Sequence, residues 1–155
     1  MCAARTAAKP GALKTAGVPA AGAWLDPVSE QRLATVVPAL ARRVRQVMQA
    51  LATLGHPVRV TAGRRTTEGQ QTLYAQGRTA PGAIVTYADG VRRRSTHQDG
   101  RAVDVVWRTP DGGVSWTGPW ELYGLACEAV GLAWGGRWRR PVDRPHCEWA
   151  GPEED

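Results

Sequence analysis

The sequence predicts an α+β fold: N-terminal helices packed on a small, mostly antiparallel sheet. Three observations carry this. Leu33, Val36, Val37, Leu40, Val44, Val47, Met48, Leu51 and Leu54 recur at helical spacing and form one apolar stripe. Short segments rich in β-branched residues, Val58–Ala62 and Ala102–Trp107, come only after that stripe, and helical and strand patterns then alternate without a regular βα repeat. The chain has 155 residues and is 43% hydrophobic, which suits a single core.

The elements follow in order. Residues 1–24 are rich in Ala, Gly, Pro and Lys and lack apolar periodicity, so a flexible tail is expected, with the folded domain running from 25 to 155. Asp26-Pro27 and Ser29-Glu30 are helix-start signals. Pro38 interrupts the apolar stripe, and a proline inside a helix costs about 3 kcal/mol. The stripe is therefore expected to split into a short helix and a longer one that starts near Pro38 and stops at Gly55, with Arg42 and Arg43 on a solvated face. Val58–Ala62 reads as a strand running into a turn at Gly63–Thr67, with Thr67 the expected cap of a helix over Glu68–Ala75. Ile84-Val85-Thr86 suggests a short strand, and Arg92–Arg94 a solvated basic loop. Asp111-Gly112-Gly113 marks a hairpin after the strand Ala102–Trp107. Thr117 to Gly131 reads as a helix capped by Thr117. A Gly/Trp-rich loop from Trp134 then feeds a last strand at His146–Trp149.

Charge and cysteine content narrow the function classes. The net charge of +6 points to an anionic partner: nucleic acid, an anionic membrane surface or a cell-wall polymer. No apolar run is long enough to span a membrane, so no membrane insertion is expected. The first residues lack a continuous apolar stretch, so a signal peptide is not expected and synthesis in the cytoplasm is. Cys2, Cys127 and Cys147 are odd in number and have no CxxC spacing, which argues against a disulfide framework and a zinc finger. Cys147 reads as a small buried hydrophobe, facing away from its neighbour His146.

One residue breaks the pattern. Asp104 sits in the middle of the apolar strand Ala102–Trp107. Burying a lone carboxylate costs more than one hydrogen bond returns. Asp104 is therefore solvent-facing, paired with an arginine, or a metal ligand with His97 one short loop away. His97, Asp104 and His146 together supply the three ligands of a catalytic zinc, which leaves one position open. Asp143, three residues before His146, is placed for a turn to aim it at a metal-bound water as general base. A simple ion-pair cluster of Asp143 with Arg137, Arg139, Arg140 and Arg144 is the rival reading. Arg65 follows a strand end, where it would stabilise an oxyanion or hold a substrate carboxylate. His56, before Pro57, reads as a surface histidine.

These segments resemble the LAS/hedgehog-type zinc peptidases, which include D-alanyl-D-alanine carboxypeptidases and L-alanyl-D-glutamate endopeptidases. The resemblance runs from about Ser29 to Trp149. The family pattern S-x-H-x-x-G-x-A-x-D is met by Ser95, His97, Gly100, Ala102 and Asp104. The element G-x-R-[ST] is met by Gly63, Arg65 and Thr66, although Arg64 stands where the family usually has an aromatic. The segments Leu73–Thr86 and Trp134–His146 are close to the phage-endolysin branch. The carboxypeptidase branch tends to have Glu and a Trp-His pair where this chain has Asp143 and Pro145-His146. The resemblance implies zinc bound by His97, Asp104 and His146, with Asp143 as catalytic base; Arg65 is taken as a catalytic residue and Ser95 as a substrate-binding one. It implies a monomeric peptidoglycan peptidase cutting stem peptides at the L-Ala–D-Glu bond, as an endolysin released by a holin would. The nearest alternative is a D-alanyl-D-alanine carboxypeptidase with the same zinc site. A basic nucleic-acid-binding or wall-binding module without catalysis is the alternative from another class.

Overall fold

Asp26 starts the fold. The computed structural model describes residues 24–152, so the expected tail lies outside the described residues except for Trp24, which packs against the core. The Asp26 carboxylate accepts hydrogen bonds from the Ser29 backbone N–H (3.2 Å) and hydroxyl (2.7 Å), capping helix α1 (Pro27–Leu33). Helix α2 (Pro38–Thr53) opens on Pro38, as expected of a proline whose missing N–H is harmless in the first turn. Its buried stripe includes Leu40, Val44, Val47, Met48 and Leu51, and the chain leaves it through Gly55 at φ +82°, a conformation that favours glycine.

The remaining elements are β1 (Val58–Ala62), α3 (Thr67–Ala75), β2 (Ala102–Arg108), β3 (Val114–Ser115), α4 (Trp120–Ala129), β4 (Ala133–Trp134), a 3₁₀ turn (Gly135–Arg137) and β5 (His146–Glu148). The sheet runs β1-β2-β5-β4, with β3 paired to the end of β2, and every pairing is antiparallel. Helices α2 and α4 pack on each other, and α2 also meets β1. The α+β class with helices on a small antiparallel sheet therefore holds.

Several local expectations are corrected. The α3 cap is Thr66, whose hydroxyl accepts from the Gly69 N–H (3.1 Å), not Thr67. Helix α4 starts three residues after Thr117, because Gly118 lies flat against the Trp107 indole, where a Cβ would come within 2.3 Å, and Pro119 follows. Ile84–Thr86 forms no strand; Thr86 instead bonds the Gln70 side chain (3.2 Å). Arg43 is not on a solvated face: its guanidinium lies 4.0 Å over the Trp149 ring and donates to the Val130 carbonyl (2.8 Å). Arg92–Arg94 do form an exposed loop, held by three backbone N–H bonds to the Asp89 carboxylate.

Strand β2 organises the molecule. Val103, Val105 and Trp107 point into the helical core with Leu40, Val44, Met48 and Leu51. Alternation sends Ala102, Asp104 and Val106 to the other face. The register sets Asp104 opposite His146 on β5 and beside Ala62 on β1, where the pairing is irregular between Val60 and Ala62. The same alternation buries Cys147 in the core while its neighbour His146 faces Asp104.

Candidate metal centre

His97, Asp104 and His146 meet at one point. His97 Nε2 lies 3.2 Å from Asp104 Oδ1 and 3.3 Å from His146 Nδ1, and His146 Nδ1 lies 3.2 Å from the same Asp104 oxygen. Three donor atoms form a nearly equilateral triangle. Ligands about 2.0–2.1 Å from a tetrahedral zinc stand about 3.3–3.4 Å apart, so the triangle has the dimensions of one face of such a site. The two His rings lie edge to face, and both are buried.

The remaining ring nitrogens are occupied. His97 Nδ1 sits 2.8 Å from the Gly63 carbonyl oxygen, which only accepts, so Nδ1 carries the proton and Nε2 presents its lone pair to the centre. His146 uses the opposite tautomer: Nε2 faces Glu148 Oε2 at 3.2 Å, leaving Nδ1 for the centre. Glu148 Oε2 also accepts from the Thr96 hydroxyl at 2.9 Å. The His97 loop is tied down by the Arg65 N–H donating to the His97 carbonyl (3.0 Å) and by Gly100, whose φ is +68°.

The electrostatics suit a cation. Burial would raise the Asp104 pKa, but the His146 and His97 rings, which donate to its carboxylate when protonated, hold it far below the usual carboxylate range. Burial would lower that of His146, but Asp104 and Glu148 push it up to about 10. A pocket that draws a proton onto the buried His146 imidazole has a negative potential, and a divalent cation is stabilised by the same field.

Asp143 and Arg65 flank the triangle. The Asp143 carboxyl is raised above its ordinary value, first by burial and then by the negative charge of Asp104, with His146, His97 and Arg65 partly opposing. The close packing of Gly135 sets its position: the Asp143 N–H donates to the Gly135 carbonyl (3.0 Å), and a Cβ on Gly135 would lie 2.4 Å from the Asp143 carbonyl oxygen. The Trp134 indole N–H holds the same loop through the Arg144 carbonyl (2.8 Å). Arg137 is engaged by Glu121 (2.9 Å) and Glu128 (2.8 Å), which draws it away from the expected cluster around Asp143. Arg65 bonds Gln70 Oε1 (2.8 Å) and places Nη2 3.7 Å from Asp104 Oδ2. Ser95 turns inward: its hydroxyl accepts from the His97 N–H (3.3 Å), and its own N–H donates to Gln98 Oε1 (2.9 Å). The readings of the sequence missed Glu148 and Trp138. Glu148 carried a signal, because it sits two residues after His146 and so shares its face of the strand. Trp138, whose ring lies 4.9 Å from His146, carried none, since a loop has no periodicity.

Comparison with known proteins agrees with this geometry. The D-alanyl-D-alanine carboxypeptidase family matches residues 89–149, which include His97, Asp104 and His146. The peptidoglycan L-alanyl-D-glutamate endopeptidase CwlK of Bacillus subtilis (strain 168) is 37% identical over 109 residues, covering 64% of this chain and 64% of that protein. The match thus spans slightly less than two thirds of the curated relative's length. Among solved structures, the Serratia marcescens L-Ala D-Glu endopeptidase ChiX superposes with a TM-score of 0.58 at 28% identity, covering 80% of this chain and 87% of that one. The vancomycin-resistance D,D-pentapeptidase VanY, solved as a mutant in complex with Zn(II), shares the fold: TM-score 0.52, 18% identity, covering 75% and 73%. The chain is thus similar in sequence and fold to peptidoglycan L-alanyl-D-glutamate endopeptidases, and in fold to a D,D-pentapeptidase.

Proposed function

We propose that this protein is a zinc metallopeptidase that hydrolyses peptidoglycan stem peptides at the L-Ala–D-Glu bond, acting on the cell wall as a lytic endolysin. The triangle formed by His97 Nε2, Asp104 Oδ1 and His146 Nδ1, with both His tautomers set by outer partners, carries this reading. When bound there, zinc would supply Lewis-acid polarisation and acidify a water. Asp143, with its raised pKa, takes the proton from the attacking water and returns it to the leaving amine as the C–N bond breaks. Arg65, held between Gln70 and Asp104, offers its positive charge to the oxygen that becomes negative. The Ser95 hydroxyl accepts one bond and keeps its own hydrogen to offer a substrate carbonyl. The net charge of +6 favours adsorption to an anionic wall, and among the described residues no helix is long and apolar enough to cross a membrane.

The likeness to CwlK and ChiX supports the endopeptidase bond, and the resemblance of Leu73–Thr86 and Trp134–His146 to the endolysin branch supports the lytic role. The match of residues 89–149 to the D-alanyl-D-alanine carboxypeptidase family keeps a D,D-carboxypeptidase as the second reading. Mass spectrometry of a defined pentapeptide stem digested by the zinc-loaded protein tests both. New D-Glu amino termini support the proposal, release of D-Ala alone supports the second reading, and no cleavage refutes both.

A further inference from the structure

The site is chemically lopsided. Strand β1 leads to Arg64 and Arg65, β5 follows Asp143 and Pro145, and β2 with Asp104 lies between the two strands. On the β1 side is a cleft of about 410 Å³ lined by Arg64, Arg65, Arg94 and the hydroxyls of Thr66 and Thr67. On the β5 side is a groove of about 390 Å³ whose walls are Trp116, Trp120, Val142, Asp143, Arg144 and Pro145. Both volumes fall within the range of small-molecule sites, about 300–1,000 Å³. One cleft is cationic and the other is aromatic, and each shares a wall with the candidate centre, through Arg65 and Asp143.

Trp116 has no evident structural duty. Its side chain is 61% exposed and stands outside the core, and Val142 across the groove is 53% exposed. Trp120 beneath is fixed: its ring lies tilted 5.2 Å from that of Trp107 and donates its indole N–H to the Trp116 carbonyl (3.1 Å). An exposed indole on a fixed base, beside a proton-transfer group, is a binding feature.

The proposed substrate is lopsided in the same sense. One side of an L-Ala–D-Glu bond carries the acidic stem, with its free carboxylates. The other carries a single L-Ala and then the lactyl arm of the muramoyl sugar, which together set the sugar ring about two extended residue-lengths (about 7 Å) from the scissile bond. A pyranose ring presents a face of C–H groups, which packs on the electron-rich face of an indole. We infer that the Trp116 groove is a saccharide subsite that seats the amino sugar of glycan-attached stem peptides, while the Arg64 cleft takes the stem carboxylates. This rests on the endopeptidase reading: at a D-Ala–D-Ala bond the sugar ring would stand four residues and the lactyl arm, about 17 Å, from the cut and miss the groove.

The test compares two substrates with the same stem, one attached to the N-acetylglucosaminyl–N-acetylmuramoyl disaccharide and one free. Wild type should prefer the disaccharide peptide, and Trp116→Ala should lower that preference by about three- to tenfold, the size of one aromatic contact. Arg64→Gln should lower kcat/KM on both substrates in equal proportion. Ligand-observed NMR with the disaccharide alone gives a readout independent of cleavage, its signal weakening in Trp116→Ala. A preference unchanged by Trp116→Ala, with no disaccharide contact by NMR, overturns the subsite. Disaccharide contact that depends on Trp116, in a protein that cleaves neither peptide, supports the subsite while refuting the peptidase reading.

Discussion

Replacing Glu148 tests the outer support of the candidate metal centre. Glu148 Oε2 accepts from His146 Nε2 at 3.2 Å and from the Thr96 hydroxyl at 2.9 Å, and its side chain is 23% exposed. In Glu148→Ala the His146 N–H and the Thr96 hydroxyl both lose their partner, and nothing holds the ring with Nδ1 inward. Loss of such a partner typically weakens metal binding by about 10–100-fold, which is about 1.4–2.8 kcal/mol. Because the residue is partly shielded and serves two donors, Glu148→Ala belongs at the upper end of that range. Glu148→Gln keeps an accepting oxygen and loses only the charge, so it belongs at or below the lower end. Zinc affinity is measured by competition with a chromogenic chelator, with circular dichroism to show that both variants fold. A folded Glu148→Ala protein that binds zinc as tightly as wild type would refute the proposed role of this residue, and with it the tautomer assigned to His146.

Other outcomes follow from the same structure. His97→Ala removes one corner of the ligand triangle, so protein purified without added metal should lose its near-stoichiometric zinc by elemental analysis; equal zinc in both proteins would count against the site. Asp143→Asn should keep zinc and melting temperature while turnover of a stem peptide falls by about 10²–10⁴-fold, the usual contribution of a positioned acid–base group; near-wild-type cleavage with full zinc would end the general-base role. Asp26→Ala removes the α1 cap, at a cost of about 1 kcal/mol, or about 2–4 °C in Tm for a chain of this size. The Asp26 pKa is depressed in the folded state: burial would raise it, but hydrogen bonds from Ser29 and the charge of Arg59 prevail. Its contribution is therefore present above the unfolded value, about pH 4, and is lost as pH falls through the folded value, so the Tm gap between wild type and Asp26→Ala should narrow under acid.

The helices and central strands were legible in the sequence because their cues are local. The apolar stripe, Asp26, Pro38 and Gly55 set α1 and α2, and the alternation in Val58–Ala62 and Ala102–Trp107 set β1 and β2. Asp104 stood out in the sequence as a candidate ligand with His97 one loop away, since a strand that buries Val103 and Val105 must turn Asp104 the other way, and the structure groups both with His146. What failed was decided by contacts between distant parts of the chain. Helix α4 starts late because Gly118 must lie on Trp107, Ile84–Thr86 is claimed by Gln70 instead of a strand edge, and Arg43 is drawn onto Trp149. Tertiary structure alone set the β2–β5 register that brings His146 to Asp104 across 42 residues, the Glu148 and Gly63 partners that select the two tautomers, and the grooves on either side. Periodicity records which face a side chain takes, because that depends on backbone geometry one residue at a time. Which faces meet depends on the packing of the whole core, and no local stretch of sequence carries that information.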